Sequence, residues 1–231
     1  MMSKTLLKLD KVTYSYKMKT GNNVNVIRSA SGMFESEKIY ALQSDKSGGK
    51  TTLLKLIAGL DQPDSGVISV NDKNTDEMDP FEYRSKVAGL ALTGMDLVSN
   101  YTVMDNVLLQ MDINKVDQPE ERYRIATEIL EFVGLEQSGG NRKVSKLSET
   151  EKKKVRLARA LATLGEIILF DDMNTGLSKE ETEEFLHLLK KTAREKLKCV
   201  IYATESSLVA SMADECYTIN RGTVIKVKKN G

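Results

Sequence analysis

Apolar and β-branched positions near the start of the chain fall in short runs, at residues 6–9, 12–16, 24–27 and 38–42, broken by polar and turn-forming residues. Runs of this kind predict strands, and Gly21-Asn22-Asn23 predicts a hairpin-type turn between two of them. Over residues 50–60 the period changes: Leu53, Leu54, Leu56 and Ile57 recur on one side of a helix, until the turn-rich segment 61–66 stops it. From Thr102 to about Gly165 the pattern is mostly helical, with amphipathic helices over 119–133 and 148–164 around a loose stretch at 137–146. A strand at 167–170, a helix from 179 to about 196, a strand at 199–204, a short helix and strands near 216–219 and 223–227 follow. Strands alternating with helices predict an α/β fold whose parallel sheet is built through helical crossovers. A length of 231 residues suits one lobed domain, with core and β subdomain from 1–92 and 166–231 and a helical lobe from 93–165.

A hydrophobic fraction of 40% and a charged fraction of 29% supply a full core and exclude disorder. Lys plus Arg (34) nearly balances Asp plus Glu (33), so no global field recruits nucleic acid or an anionic membrane. Cys199 and Cys216 lie apart in apolar stretches, as small buried hydrophobes in a reducing compartment do. Residues 1–7 lack the apolar region and cleavage site of a signal peptide, and no stretch has the apolar length of a membrane-spanning helix. A membrane role therefore requires a second chain to do the spanning.

The candidate chemistry begins at Ser44-Asp45-Lys46-Ser47-Gly48-Gly49-Lys50-Thr51-Thr52, between a predicted strand and a predicted helix. The segment nearly matches GxxxxGK[ST], in which backbone N–H groups surround phosphates, the lysine reaches the terminal phosphates and the hydroxyl holds magnesium. Ser44 replaces the first glycine, and both Ser44 and Ser47 add a Cβ where such a loop uses positive φ or close backbone approach, with Gly48 and Gly49 restoring part of that freedom. Taken alone, the segment also reads as an ordinary strand-turn-helix with glycine and lysine in the turn.

Further landmarks follow in order. Residues 167–178, IILFDDMNTGLS, resemble the Walker B strand and D-loop of ABC ATPases, and Leu147-Ser148-Glu149-Thr150-Glu151 before VRLARAL (155–161) resembles their signature and its helix. Gly89-Leu90-Ala91-Leu92-Thr93 is similar to GFVFQ, and Leu97 through Thr102-Val103-Met104-Asp105-Asn106-Val107 to the L-x4-TVxENV that follows it. Tyr16 matches the A-loop aromatic and Thr204-Glu205 the H-loop, while Ala213-Asp214 and Gly222 match the family's ending. The resemblance runs from Leu6 to Val227, and the compact length with the TVxENV-like stretch points to the lipoprotein-release and macrolide-exporter branch.

The resemblance implies a P-loop NTPase of ABC type, with a mixed-sheet core, an N-terminal antiparallel β subdomain and a helical lobe. It implies ATP and Mg2+ as cofactors, with Tyr16, Ser44, Asp45, Lys46, Ser47, Gly48, Gly49, Lys50, Thr51, Thr52 and Ser148 on the nucleotide and Thr51 and Asp171 on the metal. The expected partners are a membrane permease subunit and a second cassette, identical or different, and no nucleic acid; the expected location is the cytoplasmic face of the membrane. Soluble ABC proteins of DNA repair or translation are disfavoured by a single cassette with no coiled-coil insertion or basic extension.

Hydrolysis is expected to be weak or lost. Asp172 stands where the family has its catalytic glutamate, one methylene short as a base for water. Thr93 occupies the Q-loop glutamine position and is too short to span to the metal and water, and Glu205 brings negative charge to the switch-histidine position. Glu149 and Glu151 place carboxylates at a helix N-terminus, which stabilises the helix while repelling nucleotide, and Ser178 departs from the D-loop aspartate. Two functions follow: a transporter ATP-binding subunit with impaired hydrolysis, or an inactive scaffold or sensor holding a membrane partner in one state. His187 reads as a solvent-edge residue, Lys152-Lys153-Lys154 as a solvated face with intrahelical pairs, and Met95, Met104 and Met111 as gap-filling core.

Overall fold

The computed structural model describes residues 5–17, 23–46, 48–92, 97–113, 118–135, 140–163, 165–171 and 175–227. Strands β1 (Thr5–Lys17) and β2 (Asn23–Glu35) pair antiparallel, and β4 (Ser65–Val70) and β5 (Lys73–Asn74) extend them into a sheet of order β2-β1-β4-β5. Along β1 Leu6 is buried near the strand start, and beyond it the buried positions are Leu7 and Leu9, then Val12, so across residues 7–12 the inward face switches from odd to even numbers. The switch is a β-bulge: Lys11 takes φ 52° and the register shifts between Leu9 and Val12. Gly66 on β4 makes room for it, since a Cβ there would come 2.4 Å from the Lys11 carbonyl oxygen.

The sequence pattern divides β1 at this bulge and ends β2 at Ile27. The structure shows one strand in each case, because polar Arg28-Ser29 marks a second irregularity, Ser29 at φ 50°, and not a strand end. The pattern also passes over β4 and β5, joined by Asn71-Asp72 at φ 50° and 63°, both left-handed as a tight two-residue hairpin requires. Of the turn expected at 21–23, Asn23 begins β2 and the other two residues lie outside the described ones.

The second sheet has order β10-β9-β3-β8-β7-β6, formed by β3 (Ile39–Gln43), β6 (Ala88–Ala91), β7 (Ile167–Phe170), β8 (Cys199–Thr204), β9 (Glu215–Asn220) and β10 (Thr223–Val227). Its strands run parallel except β10, which is antiparallel to β9. β7 and β8 are buried at every position, as strands covered on both faces are. Alternation assigns each residue a face. Tyr40, Leu42, Ile167, Leu169, Cys199 and Ile201 pack toward the first sheet with Leu53, Leu54 and Ile57 of α1 (Lys50–Ile57). Ile39, Ala41, Ile168, Phe170, Val200 and Tyr202 pack on the other face.

That other face is covered by α3 (Val103–Ile113), α4 (Pro119–Phe132), α5 (Glu149–Leu161) and α6 (Lys179–Glu195), whose buried residues share one cluster with it. The short helices are α2 (Pro80–Lys86) and α7 (Ser207–Ser211). Part of the loose stretch at 137–146 is organised: the Arg142 carbonyl accepts from Val103 N (2.9 Å), and a 3-10 turn spans Val144–Lys146. On α5 the lysine run is not wholly solvated, since Lys153 is buried while Lys152 pairs with Glu149 at 2.7 Å. His187 is exposed, Met104 and Met111 are buried, and both cysteines are free and buried, with burial pushing the Cys199 thiol pKa up. Met95 lies outside the described residues. Among the described residues no helix is long and apolar enough to cross a membrane.

Candidate functional site

β3 occupies an interior position of the parallel sheet and ends at Gln43, so the loop that follows opens at the carboxyl ends of the strands, beside β8. Ser44 N donates to the Thr204 carbonyl across that junction at 3.4 Å. The loop enters α1 through Gly49, at φ 93° and ψ 8°, a left-handed conformation that only glycine adopts at little cost. Among the described residues no side chain caps the N-terminus of α1, whereas Asp79, Ser148, Ser178 and Ser206 cap α2, α5, α6 and α7. The first-turn N–H groups of α1 are thus left to an external acceptor, and the helix dipole favours an anion there.

Ser44 does not take positive φ, so serine there carries none of the backbone penalty expected from the sequence. Its constraint is steric. A Cβ on Gly48 would lie 2.1 Å from Ser44 Oγ and 2.5 Å from Ser44 Cβ, so the side chain gained at 44 fills the space that a side chain at 48 would need. Gly48 is likewise not at positive φ; it supplies room, and its N–H donates to the Asp45 carbonyl at 3.0 Å to close the loop.

Lys50 turns back into this loop, its side chain 9% exposed. Its Nζ donates to the carbonyls of Ser44 (2.9 Å) and Asp45 (2.7 Å) and to Ser44 Oγ (3.2 Å), and lies 3.8 Å from Glu205 Oε1. On the next residue, Thr51 Oγ1 donates to Oδ2 of the buried Asp171 at 2.9 Å. Tyr16, 39% exposed, shares a 3.2 Å hydrogen bond with Thr52 Oγ1 and stands edge-on to Tyr14. Contacts therefore link Tyr16, Ser44, Asp45, Gly48, Gly49, Lys50, Thr51, Thr52, Asp171 and Glu205, with Lys46 exposed on the same loop. Ser47, Thr93 and Asp172 lie outside the described residues.

Ser148 belongs to a different arrangement. Its Oγ accepts from Glu151 N (3.2 Å) and its own N–H donates to Glu151 Oε2 (2.8 Å), a complete capping box. Arg142 Nη1 donates to Glu151 Oε1 at 2.6 Å, and this hydrogen bond holds the Glu151 carboxyl below its ordinary pKa. The hydrogen bond from Lys152 lowers that of Glu149 in the same way. Thr150 Oγ1 donates to Glu181 Oε1 (2.6 Å), tying this turn to the capping box of α6. The N-terminus of α5 is capped by Ser148 and Glu151, where among the described residues that of α1 has no side-chain cap. Sequence reasoning found the acidic substitutions but not the Lys50–Glu205 pair or the Ser44/Gly48 exchange, since neither has a signal short of coordinates.

The pieces fit a magnesium nucleotide. An uncapped helix end with an inturned lysine suits phosphates, and a hydroxyl paired with a buried carboxylate suits a hard cation that takes its remaining ligands from phosphate and water. Among the described residues no cluster of three His, Cys, Asp or Glu forms a protein-only metal cage.

Comparison with known proteins agrees with this geometry. Residues 27–175 match the family model described as ABC transporter. The methionine import ATP-binding protein MetN 1 of Bacillus thuringiensis is 31% identical over 212 residues, covering 90% of this chain; the chain spans 62% of that relative's length. The uncharacterized ABC transporter ATP-binding protein YclH of Bacillus subtilis is 27% identical, covering 98% of each chain. Among solved structures, the dimeric bacterial ABC transporter cassette MJ0796 superposes with a TM-score of 0.86 at 27% identity, over 98% of this chain and 100% of that one. Its post-hydrolysis state bound to ADP and Pi gives 0.87. The methionine-import similarity corrects the branch read from the sequence: compact length and one short stretch at 102–107 are too little to single out lipoprotein-release or macrolide-exporter cassettes. The chain belongs to the ABC transporter family, as an ATP-binding cassette of α/β fold.

Proposed function

We propose that the chain is the nucleotide-binding subunit of an ABC importer, coupling Mg-ATP binding to a membrane permease while hydrolysing ATP slowly or not at all. The observation that carries this reading is the convergence of inturned Lys50 and the 2.9 Å Thr51–Asp171 contact on the uncapped N-terminus of α1. Lys50 and the loop amides hold the phosphates, Tyr16 stacks on the base, and Thr51 and Asp171 hold the metal. Bound magnesium neutralises phosphate charge. The whole chain acts as a single cassette, peripheral at the inner membrane face, paired with a second cassette. Similarity to proteins named for methionine import favours import over export.

Impaired hydrolysis rests on Asp172, Thr93 and Glu205 at the positions that orient water and sense the terminal phosphate. The self-capped end of α5 adds to it, because a composite site draws that helix end from one cassette and the phosphate loop from the other. A second reading, a catalytically inactive scaffold or sensor, is favoured by the Lys50–Glu205 pair, which gives the lysine a counter-charge without nucleotide. Calorimetric titration of the purified chain with Mg-ATP, alongside steady-state phosphate release from its membrane complex, separates the two. Micromolar binding with turnover below about 1 per second supports the first reading. Absence of binding supports the second, and turnover well above that rate refutes the loss of catalysis.

A further inference from the structure

Glu205 is held beside the phosphate loop from both sides. Its preceding residue Thr204 pairs with Gln43 in the β3–β8 ladder, and the Thr204 carbonyl accepts from Ser44 N. Its following residue Ser206 donates its N–H to Thr204 Oγ1 (3.1 Å) and caps α7 by accepting from Val209 N (3.3 Å). The backbone at 205 is thus fixed relative to the loop, and the side chain reaches Lys50 Nζ at 3.8 Å from the solvent side, 56% exposed.

Among the described residues the other hydrogen bonds of the Lys50 ammonium go to neutral oxygens, of Ser44 and Asp45. A nucleoside diphosphate bound at the loop amides would bring one negative charge fewer to Lys50 than a triphosphate, and Glu205 already stands on the solvent side of that lysine. From this geometry we infer that Glu205 is a specificity-determining residue that turns the site toward nucleoside diphosphates. The inference rests on the nucleotide-binding reading and deepens it by naming which nucleotide class the site favours. One extra charge about 5 Å from a carboxylate costs a few-fold in affinity in bulk water and a few hundred-fold at an effective dielectric near 20; a half-exposed residue lies toward the lower end, about tenfold.

The test is calorimetric titration of the full chain with ADP and with ATP, each in excess magnesium, for the wild type, Glu205→Gln and Glu205→Asp, after thermal melts establish that all three are folded. The wild type is expected to bind ADP at least as tightly as ATP. Glu205→Gln should tighten ATP about tenfold while moving ADP less than about twofold, and Glu205→Asp should retain most of the discrimination. Raising the salt from 0.05 to 0.5 M should narrow the wild-type difference, since the carboxylate is reached by solvent. The inference is overturned if the wild type prefers ATP and Glu205→Gln leaves that ratio unchanged, or if Glu205→Gln weakens ATP alone, which would make the carboxylate a ligand of the triphosphate's magnesium. If none of the proteins binds either nucleotide, the nucleotide-binding reading itself fails, and the selectivity with it.

Discussion

In the phosphate loop Ser44 and Gly48 share one volume, and Gly48→Ala tests the sharing. The added Cβ would start 2.1 Å from Ser44 Oγ, 2.5 Å from Ser44 Cβ and 3.2 Å from the Asp45 carbonyl. Rotating the Ser44 hydroxyl away relieves the first overlap but not the second. The two Cβ atoms must part from 2.5 Å to at least 3.4 Å for ordinary contact, and that motion drags the carbonyls that hold Lys50. Overpacking of this kind costs about 1–3 kcal/mol. Since Ser44 is buried and held by backbone on both sides, about 2 kcal/mol is expected, read as a lower urea midpoint. Ser44→Gly alone loses the hydroxyl's bonds to Asp45 O and Lys50 Nζ, about 1 kcal/mol. Combined, the two changes should cost less than the sum, with a coupling of about 1.5 kcal/mol, because the second removes what the first collides with. Nucleotide affinity should follow the same cycle. Strict additivity, or a Gly48→Ala protein as stable as the parent, would refute the shared-volume argument.

Two further outcomes follow from contacts outside the loop. Tyr83 OH donates to the Ile57 carbonyl at 2.6 Å, anchoring the last turn of α1 to α2, so Tyr83→Phe should lower stability by about 1–2 kcal/mol, and an unchanged urea midpoint would show the bond contributes nothing. Arg142 lowers the Glu151 carboxyl pKa, so their contact stabilises fully above the unfolded value of about 4.3 and fades as pH falls through the lower folded one. Arg142→Ala should therefore cost under about 1 kcal/mol at pH 7, with the gap to wild type narrowing toward pH 3. A gap unchanged by acid would assign the loss to the pH-independent bond from Arg142 to the Lys146 carbonyl.

How much of this was legible in the sequence depends on the scale of the interaction. The fully buried strands β7 and β8 were read to the residue, because a continuous apolar run covered on both faces needs no partner to be recognised. β2 reads short in the sequence because its pattern breaks at Arg28-Ser29, and a bulge looks like an end when the pairing strand is unseen. At the site, Lys50, Thr51 and Asp171 stand out as candidates because a loop between strand and helix and an acid after an apolar strand are local signals, and the structure brings Thr51 against Asp171 and turns Lys50 into the loop. The Ser44/Gly48 exchange spans only four residues yet was read as lost conformational freedom, since sequence shows that a glycine has moved but not whether it supplies φ or volume. The Lys50–Glu205 pair joins loops more than 150 residues apart, and the carboxylate was read as repelling phosphate alone, with no cation assigned to it.

The two helix ends place opposite demands on any partner cassette. At α1 the described residues supply a lysine and no side-chain cap, whereas at α5 Ser148 and Glu151 form a capping box flanked by a second carboxylate, Glu149. On the proposed reading, a partner's phosphate loop facing this α5 meets acid where it needs donors, so its triphosphate gains little from closing the interface. On the inferred selectivity, the same chain's own loop would hold nucleotide beside Glu205 and gain little from a third phosphate either. Both deficits fall on the interactions that distinguish triphosphate from diphosphate, while the contacts common to the two, Lys50 with the loop and Thr51 with Asp171, are kept. On that same proposal, a cassette altered in this way would stay occupied without cycling, and its influence on a permease would depend on occupancy and on the partner's hydrolysis more than on its own.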